Sequence, residues 1–303
     1  MIPRALARFR KPRTELVVSD LDRATPELAR DLKALVARGR RSRDSVVDPS
    51  SPVVLSMTTH GPRVDGVHVT IESIARGSVL PGRFILWLDD AERYANLPKG
   101  LRRLQRRGLE IHLVPSYGVH TKFYPYFVEQ GDGPLDAPLV TADDDLVYPP
   151  DWLERLIEAW RRAPEDHVAY RVRKVVTVGE GAELAIAPYT GWPLVDHDRA
   201  THAGLATGVS GQVIPPALQR IARAHGEQFR DRARTNDDIW LHWLGTVHGI
   251  RTRQVDPTAV LFPFVPGTQA VGLYLTNDHG GANDAIIAGL YGPAEIRTIA
   301  ADQ

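Results

Sequence analysis

The chain contains no cysteine among its 303 residues. Disulfide bridges, thiolate metal sites and cysteine nucleophiles are therefore excluded. This composition suits a reducing compartment, and we expect a cytoplasmic protein. An excess of charge is also lacking, because 37 Lys and Arg residues balance 37 Asp and Glu residues. A neutral chain has no general attraction to polyanions, so we expect no nucleic-acid partner.

Long apolar runs and several common cofactor motifs are absent as well. No stretch approaches the roughly 20 apolar residues that span a bilayer, and residues 1–13 are basic without the apolar segment of a signal peptide. We expect a protein without a transmembrane segment, and leave a peripheral membrane contact open. The sequence holds no GxGxxG motif, no P-loop and no GxSxG elbow. Dinucleotide, classical ATP and serine-hydrolase sites therefore have no support.

The first 50 residues differ in charge from the rest, with twelve Lys and Arg against seven Asp and Glu. Within them, Leu28, Leu32, Leu35 and Val36 recur at helical spacing. They predict an amphipathic helix over residues 25–38 that packs on the main domain. We divide the chain into a basic helical extension, residues 1–50, and a main domain, residues 51–303. The basic face either is solvated or contacts an anionic lipid or a partner.

From residue 52 onward, short apolar runs alternate with helical patterns. This alternation predicts an α/β fold with a mostly parallel central sheet flanked by helices, in a Rossmann-like three-layer arrangement. Ligands of such sheets bind beyond the carboxyl ends of the strands. The predicted strands are 53–57, 84–88, 109–114 and 137–142, and the predicted helices are 67–75, 98–107, 122–129 and 149–164.

Three consecutive carboxylates, Asp143, Asp144 and Asp145, directly follow the fourth predicted strand. Adjacent carboxylates repel one another unless they are solvated or neutralised by a cation. Alternate residues at a strand end point the same way, so we expect Asp143 and Asp145 to converge on one ion. Their hard oxygen ligands suit Mn²⁺ or Mg²⁺, with further ligands from substrate phosphates. The alternative interpretation is a solvated acidic turn.

Several short motifs follow one another along the chain, at 56–59 with Arg63, 85–88, 122–124, 143–153, 207–211 and 236–241. Their order resembles that of bacterial glycosyltransferases with the GT-A fold, of the family-2-like kind. The resemblance covers roughly residues 52–285, with residues 1–50 outside it. It implies a GT-A-like fold and a DxD metal motif. It also implies a nucleotide-sugar donor, with a UDP-sugar as the first expectation, and a glycan or glycolipid acceptor.

On the donor side, the resemblance implies a role for residues at several strand ends. Thr58 and Thr59 are expected near the nucleotide base and ribose, and Asp89 near the base or ribose as well. Arg63 is expected to reach a phosphate as a planar donor. Lys122 is expected to supply a point charge to the diphosphate. Asp144 is assigned to the donor together with these residues, and each of them has the alternative of an ordinary polar surface position.

On the acceptor side, Asp237 and Asp238 match the acidic motif of inverting enzymes with this fold. One of them, preferably Asp238, is expected to be the general base for the acceptor hydroxyl. Both also suit the start of a helix without any catalytic role. His279 is expected to be a third metal ligand from a Gly-rich loop. Inversion is the expected stereochemistry, and retention stays open.

Two other functions compete with glycosyl transfer. Another metal-dependent phosphoryl or nucleotidyl enzyme would also use clustered carboxylates with Mg²⁺. An inactive carbohydrate-binding protein on the same fold is the second alternative, because a fold does not determine a function.

Overall fold

The computed structural model describes residues 25–269 and 281–303. Predictions for residues 1–24 and for His279 with its Gly-rich loop lie outside the described residues. The described helices are α1 Pro26–Arg41, α2 Val67–Ala75, α3 Ala91–Ala95, α4 Lys99–Gln105, α5 Tyr124–Gln130, α6 Trp152–Arg162, α7 Pro216–His225, α8 Phe229–Arg232, α9 Asp237–His248, α10 Ala282–Leu290 and α11 Pro293–Ala300.

Seven strands form the central sheet, in the order β11-β5-β10-β4-β1-β2-β3. All neighbouring pairs are parallel except those that β10 makes with β4 and β5. The strands of this sheet are β1 Val54–Thr58, β2 Arg83–Leu88, β3 Leu109–Leu113, β4 Leu139–Thr141, β5 His167–Ala169, β10 Gln212–Ile214 and β11 Thr252–Gln254. Two small antiparallel sheets pair β6 Val172–Lys174 with β9 Gly204–Ala206, and β7 Thr177–Val178 with β8 Ala185–Ile186.

Apolar side chains cover both faces of the central sheet, which is the condition that a buried parallel sheet requires. Leu55 and Leu86 belong to the core on one face, together with residues of α2, α4 and α6. Val54 and Ile85 belong to the core on the other face, together with residues of α5, α7 and α9. The predicted α/β fold with a mostly parallel sheet between helical layers is therefore confirmed.

Helix α1 confirms the helix predicted in the basic amino-terminal segment. Thr25 caps it by accepting a hydrogen bond from the Leu28 backbone N–H at 3.2 Å, and Pro26 occupies its first turn. Its apolar side, with Leu28 and Leu35 buried, packs against Val69 of α2 and Val147 after the acidic triplet. Across residues 25–269 and 281–303, none of the helices combines the length and the apolar character needed to cross a membrane.

Candidate functional site

The site lies at the edge of the sheet where the parallel strands β4, β1 and β2 end. The acidic triplet follows β4, Thr59 follows β1 and Asp89 follows β2. Because β10 runs antiparallel to β4, the loop that precedes β10 reaches the same edge. Segments far apart in sequence are thus brought together by strand direction alone.

Ala142 and Asp143 follow β4 without regular structure, and Asp144 and Asp145 form a turn. Asp144 and Asp145 share one partner, Arg63, at 2.9 Å and 3.2 Å, whereas Asp143 lies 3.2 Å from the ammonium of Lys122. The assignment of Asp143 and Asp145 to a metal ion stays a prediction.

Arg63 holds Asp144 and Asp145, the second and third carboxylates of the triplet. Its Nη1 donates to Asp144 at 2.9 Å, and its Nη2 donates to the backbone carbonyl of Thr268 at 3.0 Å. Burial lowers the pKa of Arg63, but the carboxylates of Asp144 and Asp145 outweigh it and raise that pKa overall. Thr59 completes the arrangement by donating its hydroxyl to Asp144 at 2.6 Å. Arg63 and Thr59 therefore act here on the triplet, and their predicted contacts with a phosphate or base stay predictions.

Asp145 is held through both its side chain and its backbone. Gln269 donates to its side chain at 2.8 Å, and its backbone carbonyl accepts from Val265 at 2.7 Å. Burial, followed by the charges of Asp144 and Asp143, raises the pKa of Asp145 to about 7. Asp145 therefore titrates near neutral pH, and any added positive charge would favour its ionised form.

Lys122 connects the triplet with the acidic pair at the start of α9. Its Nζ lies 3.2 Å from Asp143 and 3.3 Å from Asp237. Burial lowers its pKa, but the nearby carboxylates of Asp143, Asp237 and Asp238 together raise it well above its usual value. Lys122 therefore stays charged at any physiological pH. The structure thus brings together the predicted donor-side lysine and the predicted acceptor-side pair.

Asp237 and Asp238 lie in the first turn of α9, as predicted. The helix is capped by Asn236, whose side chain accepts from the Ile239 backbone N–H at 2.9 Å. Asp238 additionally accepts from the Gly208 backbone N–H at 2.9 Å. Burial and the charge of Asp237 raise the pKa of Asp238 to about 8. Such a value suits a group that takes up a proton near neutral pH.

Taken together, the site contains more acidic than basic side chains. Full ionisation would leave an excess of negative charge in a partly buried region. Burial first, and the neighbouring carboxylates second, raise the pKa values of Asp145 and Asp238. Hard oxygen donors in excess over cations fit a divalent ion such as Mn²⁺ or Mg²⁺. The acidic members are Asp143, Asp144, Asp145, Asp237 and Asp238, and the basic members are Lys122 and Arg63.

The part of the chain that the structure describes contains no group of three or more His, Cys, Asp and Glu side chains placed to hold a metal ion. A cation at the triplet would therefore take at most two ligands from these residues. Mg²⁺ commonly binds in this way, with one or two carboxylates and the remaining positions filled by water and substrate phosphates.

Thr58 and Asp89 lie at neighbouring strand ends, away from the ion-paired network. Thr58 donates its hydroxyl to the backbone carbonyl of Trp87 at 3.1 Å. Asp89 is exposed, whereas the adjacent Asp90 caps α3 by accepting from the Arg93 backbone N–H at 3.0 Å. Asp90 therefore has a structural role as a helix cap. Asp89 has no such role and faces solvent. Their predicted contact with a base or ribose is not tested by these positions.

Sequence reasoning missed three residues that orient the triplet. Gln269 binds Asp145, Thr70 donates to the Asp144 backbone carbonyl at 3.0 Å, and the Tyr148 hydroxyl accepts from the Asp143 backbone N–H at 2.9 Å. Thr70 and Gln269 carry no sequence signal, because each comes from a distant segment. Tyr148 offered one, since a polar aromatic ring in an otherwise buried position needs a hydrogen-bond partner.

Comparison with known proteins adds structural likeness at low identity. No protein-family model matches the chain, and no curated protein sequence matches it. A mannosyltransferase from Pyrobaculum calidifontis, solved in complex with GDP-Man and Mn²⁺, shares 14% identity at a TM-score of 0.43, covering 95% of this chain and 85% of that one. The 4-diphosphocytidyl-2C-methyl-D-erythritol synthase also shares 14% identity, at a TM-score of 0.42, covering 74% of this chain and 95% of that one. Likeness of this degree indicates neither a reaction nor a ligand for this chain.

Proposed function

We propose that the protein is a metal-dependent glycosyltransferase that moves a sugar from a nucleoside-diphosphate sugar to a hydroxyl acceptor. The observation that carries the proposal is the convergence of the acidic triplet, Lys122 and the Asp237–Asp238 pair at the carboxyl edge of a parallel sheet. A diphosphate needs positive charge to bind there, and the excess of carboxylates supplies the ligands for a cation that would provide it.

The donor side of the proposal assigns the diphosphate to the triplet. Asp143 and Asp145 would hold Mn²⁺ or Mg²⁺, which stabilises the negative charge of the leaving diphosphate when it is bound. Lys122 lies beside Asp143 and contributes a permanent positive charge to the same region. Arg63 and Thr59 hold Asp144 in place, so that the turn keeps its shape while its neighbours bind the ion.

The acceptor side assigns the general base to Asp238. The acceptor oxygen forms a bond to the anomeric carbon, while the bond from that carbon to the diphosphate oxygen breaks and leaves its electron pair on the diphosphate. The proton of the acceptor hydroxyl passes to Asp238. Lys122 contacts both Asp143 and Asp237, the neighbour of this carboxylate in the chain, so that acid–base chemistry and diphosphate binding would lie side by side. Attack from the face opposite the leaving group gives inversion.

A donor screen tests the proposal. The protein is incubated with Mn²⁺, a mixture of methyl glycosides, and either UDP-sugars, GDP-sugars or nucleoside triphosphates with sugar phosphates. Release of nucleoside diphosphate with formation of a new glycoside is the expected result. Release of pyrophosphate from a triphosphate would instead identify a nucleotidyltransferase, and binding of glycans in a chelator without any turnover would identify a carbohydrate-binding protein.

The matched variants for this screen are Asp143→Asn and Asp136→Asn. Asp136 is an exposed aspartate that pairs with Arg220 on the surface, and it precedes β4 whereas the triplet follows it. Turnover should fall by about 10–100-fold or more in Asp143→Asn and persist in Asp136→Asn. Equal turnover in the two variants would remove Asp143 from the site.

A further inference from the structure

The side chain of Gln212 is buried beside the proposed acceptor site and has an unused donor. Gln212 lies at the start of β10 and is 0% exposed. Its Oε1 lies 2.8 Å from Nε2 of His167. Burial lowers the pKa of His167 to about 4, so that the imidazole is neutral and donates this hydrogen bond. The Nε2 of Gln212 makes no hydrogen bond to any residue of the described chain.

A second polar atom lies next to it. Thr141 of β4 is the direct cross-strand partner of Gln212, and the side chains of such a pair lie on the same face of the sheet. Thr141 is also 0% exposed, and its hydroxyl has no hydrogen-bond partner among the residues that the structure describes. Buried polar atoms without partners are rare and need an explanation, which a bound ligand supplies.

Gly208 lies beside the free amide of Gln212. The φ angle of Gly208 is not positive, so the backbone conformation does not require glycine at this position. A Cβ on Gly208 would lie 3.2 Å from Asp238 Oδ1, 3.2 Å from Lys122 Nζ and 3.3 Å from Gln212 Nε2. These three polar atoms therefore lie close to the bare Cα of Gly208, and a methyl group there would be crowded. We call the place where Gly208, Gln212, Lys122 and Asp238 meet the polar recess.

The polar recess has the hydrogen-bonding character that a neutral hydroxyl group needs. Gln212 and Lys122 offer donors, and Asp238 offers an acceptor. An anionic oxygen would face the carboxylates of Asp238 and Asp237, which would repel it. A sugar hydroxyl can accept from Gln212 and donate to Asp238 at the same time.

We propose that the polar recess binds an acceptor hydroxyl adjacent to the one that reacts, and that Gln212 thereby selects sugars over simple alcohols. This inference rests on the proposed function. Asp238 Oδ1, which accepts from Gly208, receives the bound hydroxyl, and Oδ2 is assigned to the reacting one. A single carboxylate that serves two neighbouring hydroxyls requires a vicinal diol. The acceptor class is therefore a sugar with adjacent hydroxyl groups, not a lone serine or lipid alcohol.

Kinetic measurements on pairs of acceptors, with and without one hydroxyl group, test whether Gln212 selects sugars. Wild type, Gln212→Leu and Gly208→Ala are compared on methyl glycosides and on the monodeoxy analogues of those glycosides. One deoxy position should lower kcat/KM of the wild type by about tenfold, the effect of losing one hydrogen bond. The same deoxy position should make little difference in Gln212→Leu, because the interaction is already removed. Gly208→Ala should raise KM for the intact glycoside by narrowing the polar recess.

Two control variants separate selection from damage to the fold. Gln254→Leu removes another buried strand glutamine, whose Nε2 is already bonded to the carbonyls of Val195 and Asp256. Gly289→Ala adds a methyl group where nothing lies within 4 Å. Both should keep the wild-type preference for the intact glycoside. If Gln212→Leu keeps that preference as well, the proposal is overturned.

A second measurement does not depend on turnover. A high-resolution crystal structure of the unliganded protein should show an ordered oxygen about 3 Å from Gln212 Nε2, which a soaked methyl glycoside replaces with a hydroxyl. If the wild type forms no glycoside from any donor, the proposed function fails while this crystallographic result still decides on the polar recess. A dry recess in the crystal, with Gln212 Nε2 bonded within the protein, would overturn it.

Discussion

Replacement of Arg63 by methionine should strongly destabilise the protein. The side chain of Arg63 is 14% exposed, and those of Asp144 and Asp145 are 6% and 7% exposed. Methionine keeps most of the volume but removes the charge that both carboxylates share. Loss of one partner from a buried ion pair typically costs about 3–5 kcal/mol, because it leaves a buried charge without compensation. We expect a cost in this range.

The matched control is Arg93→Met. Arg93 pairs with Asp65 on the surface, where the two side chains are 36% and 62% exposed. Exposed pairs contribute about 0–1 kcal/mol, since water and salt screen them. Urea unfolding measures both variants, and with a slope of about 3 kcal/mol per molar the Arg63 midpoint should fall by roughly 1–2 M. The Arg93 midpoint should move by less than about 0.3 M.

Mn²⁺ extends the same experiment to the proposed cation site. Because Arg63→Met leaves the triplet with more uncompensated negative charge, saturating Mn²⁺ should recover part of the lost stability by binding the folded state. Midpoints that fall equally for Arg63→Met and Arg93→Met would refute the buried network. A large fall without any Mn²⁺ effect would keep the network but remove the cation from it.

Three further results are expected. Asp143→Asn should change the free energy of unfolding by no more than about 1 kcal/mol, because Lys122 keeps Asp237 as a carboxylate partner. The same variant should lower Mn²⁺-dependent turnover by about 10–100-fold or more. A turnover like that of wild type would contradict the assignment. The logarithm of kcat/KM should rise by about one per pH unit up to about pH 8 and then level off, because Asp238 accepts a proton only when it is ionised; a flat profile over this range excludes it as the base. Asp31→Ala should lower the free energy of unfolding in urea by about 1 kcal/mol, because Asp31 pairs with Arg76 in two contacts. Glu27→Ala, which removes an exposed pair with Arg30, should leave that free energy almost unchanged. Equal losses in the two variants would show that the Asp31–Arg76 pair does not hold α1 on the main domain.

Much of the fold could be predicted from the order of apolar segments. The predicted helix over 67–75 coincides with α2, and the predicted strands at 84–88 and 109–114 differ from β2 and β3 by one residue. These elements were predictable because a buried parallel strand is a short continuous apolar run between turns. The short strands β5 and β10 were not, since three residues carry too little periodicity to detect.

The composition of the site was predictable, but its pairing was not. The rule that ligands bind at strand ends indicated the place of Asp143. Lys122 and Asp237 were expected there only from the resemblance of the motif order, and both join the ion-paired network through contacts of 3.2 Å and 3.3 Å. The partner of each carboxylate depends on side chains from remote segments, such as Gln269 on Asp145.

Calorimetric titration of a nucleoside diphosphate tests the central claim most directly. UDP and GDP are titrated into wild type and Asp143→Asn, each with saturating Mn²⁺ and again with a chelator. A cation that joins the triplet to the diphosphate predicts tight binding of one nucleotide to wild type with Mn²⁺, and a loss of at least about tenfold in affinity with the chelator or the variant. Binding of equal strength under all four conditions would contradict the account.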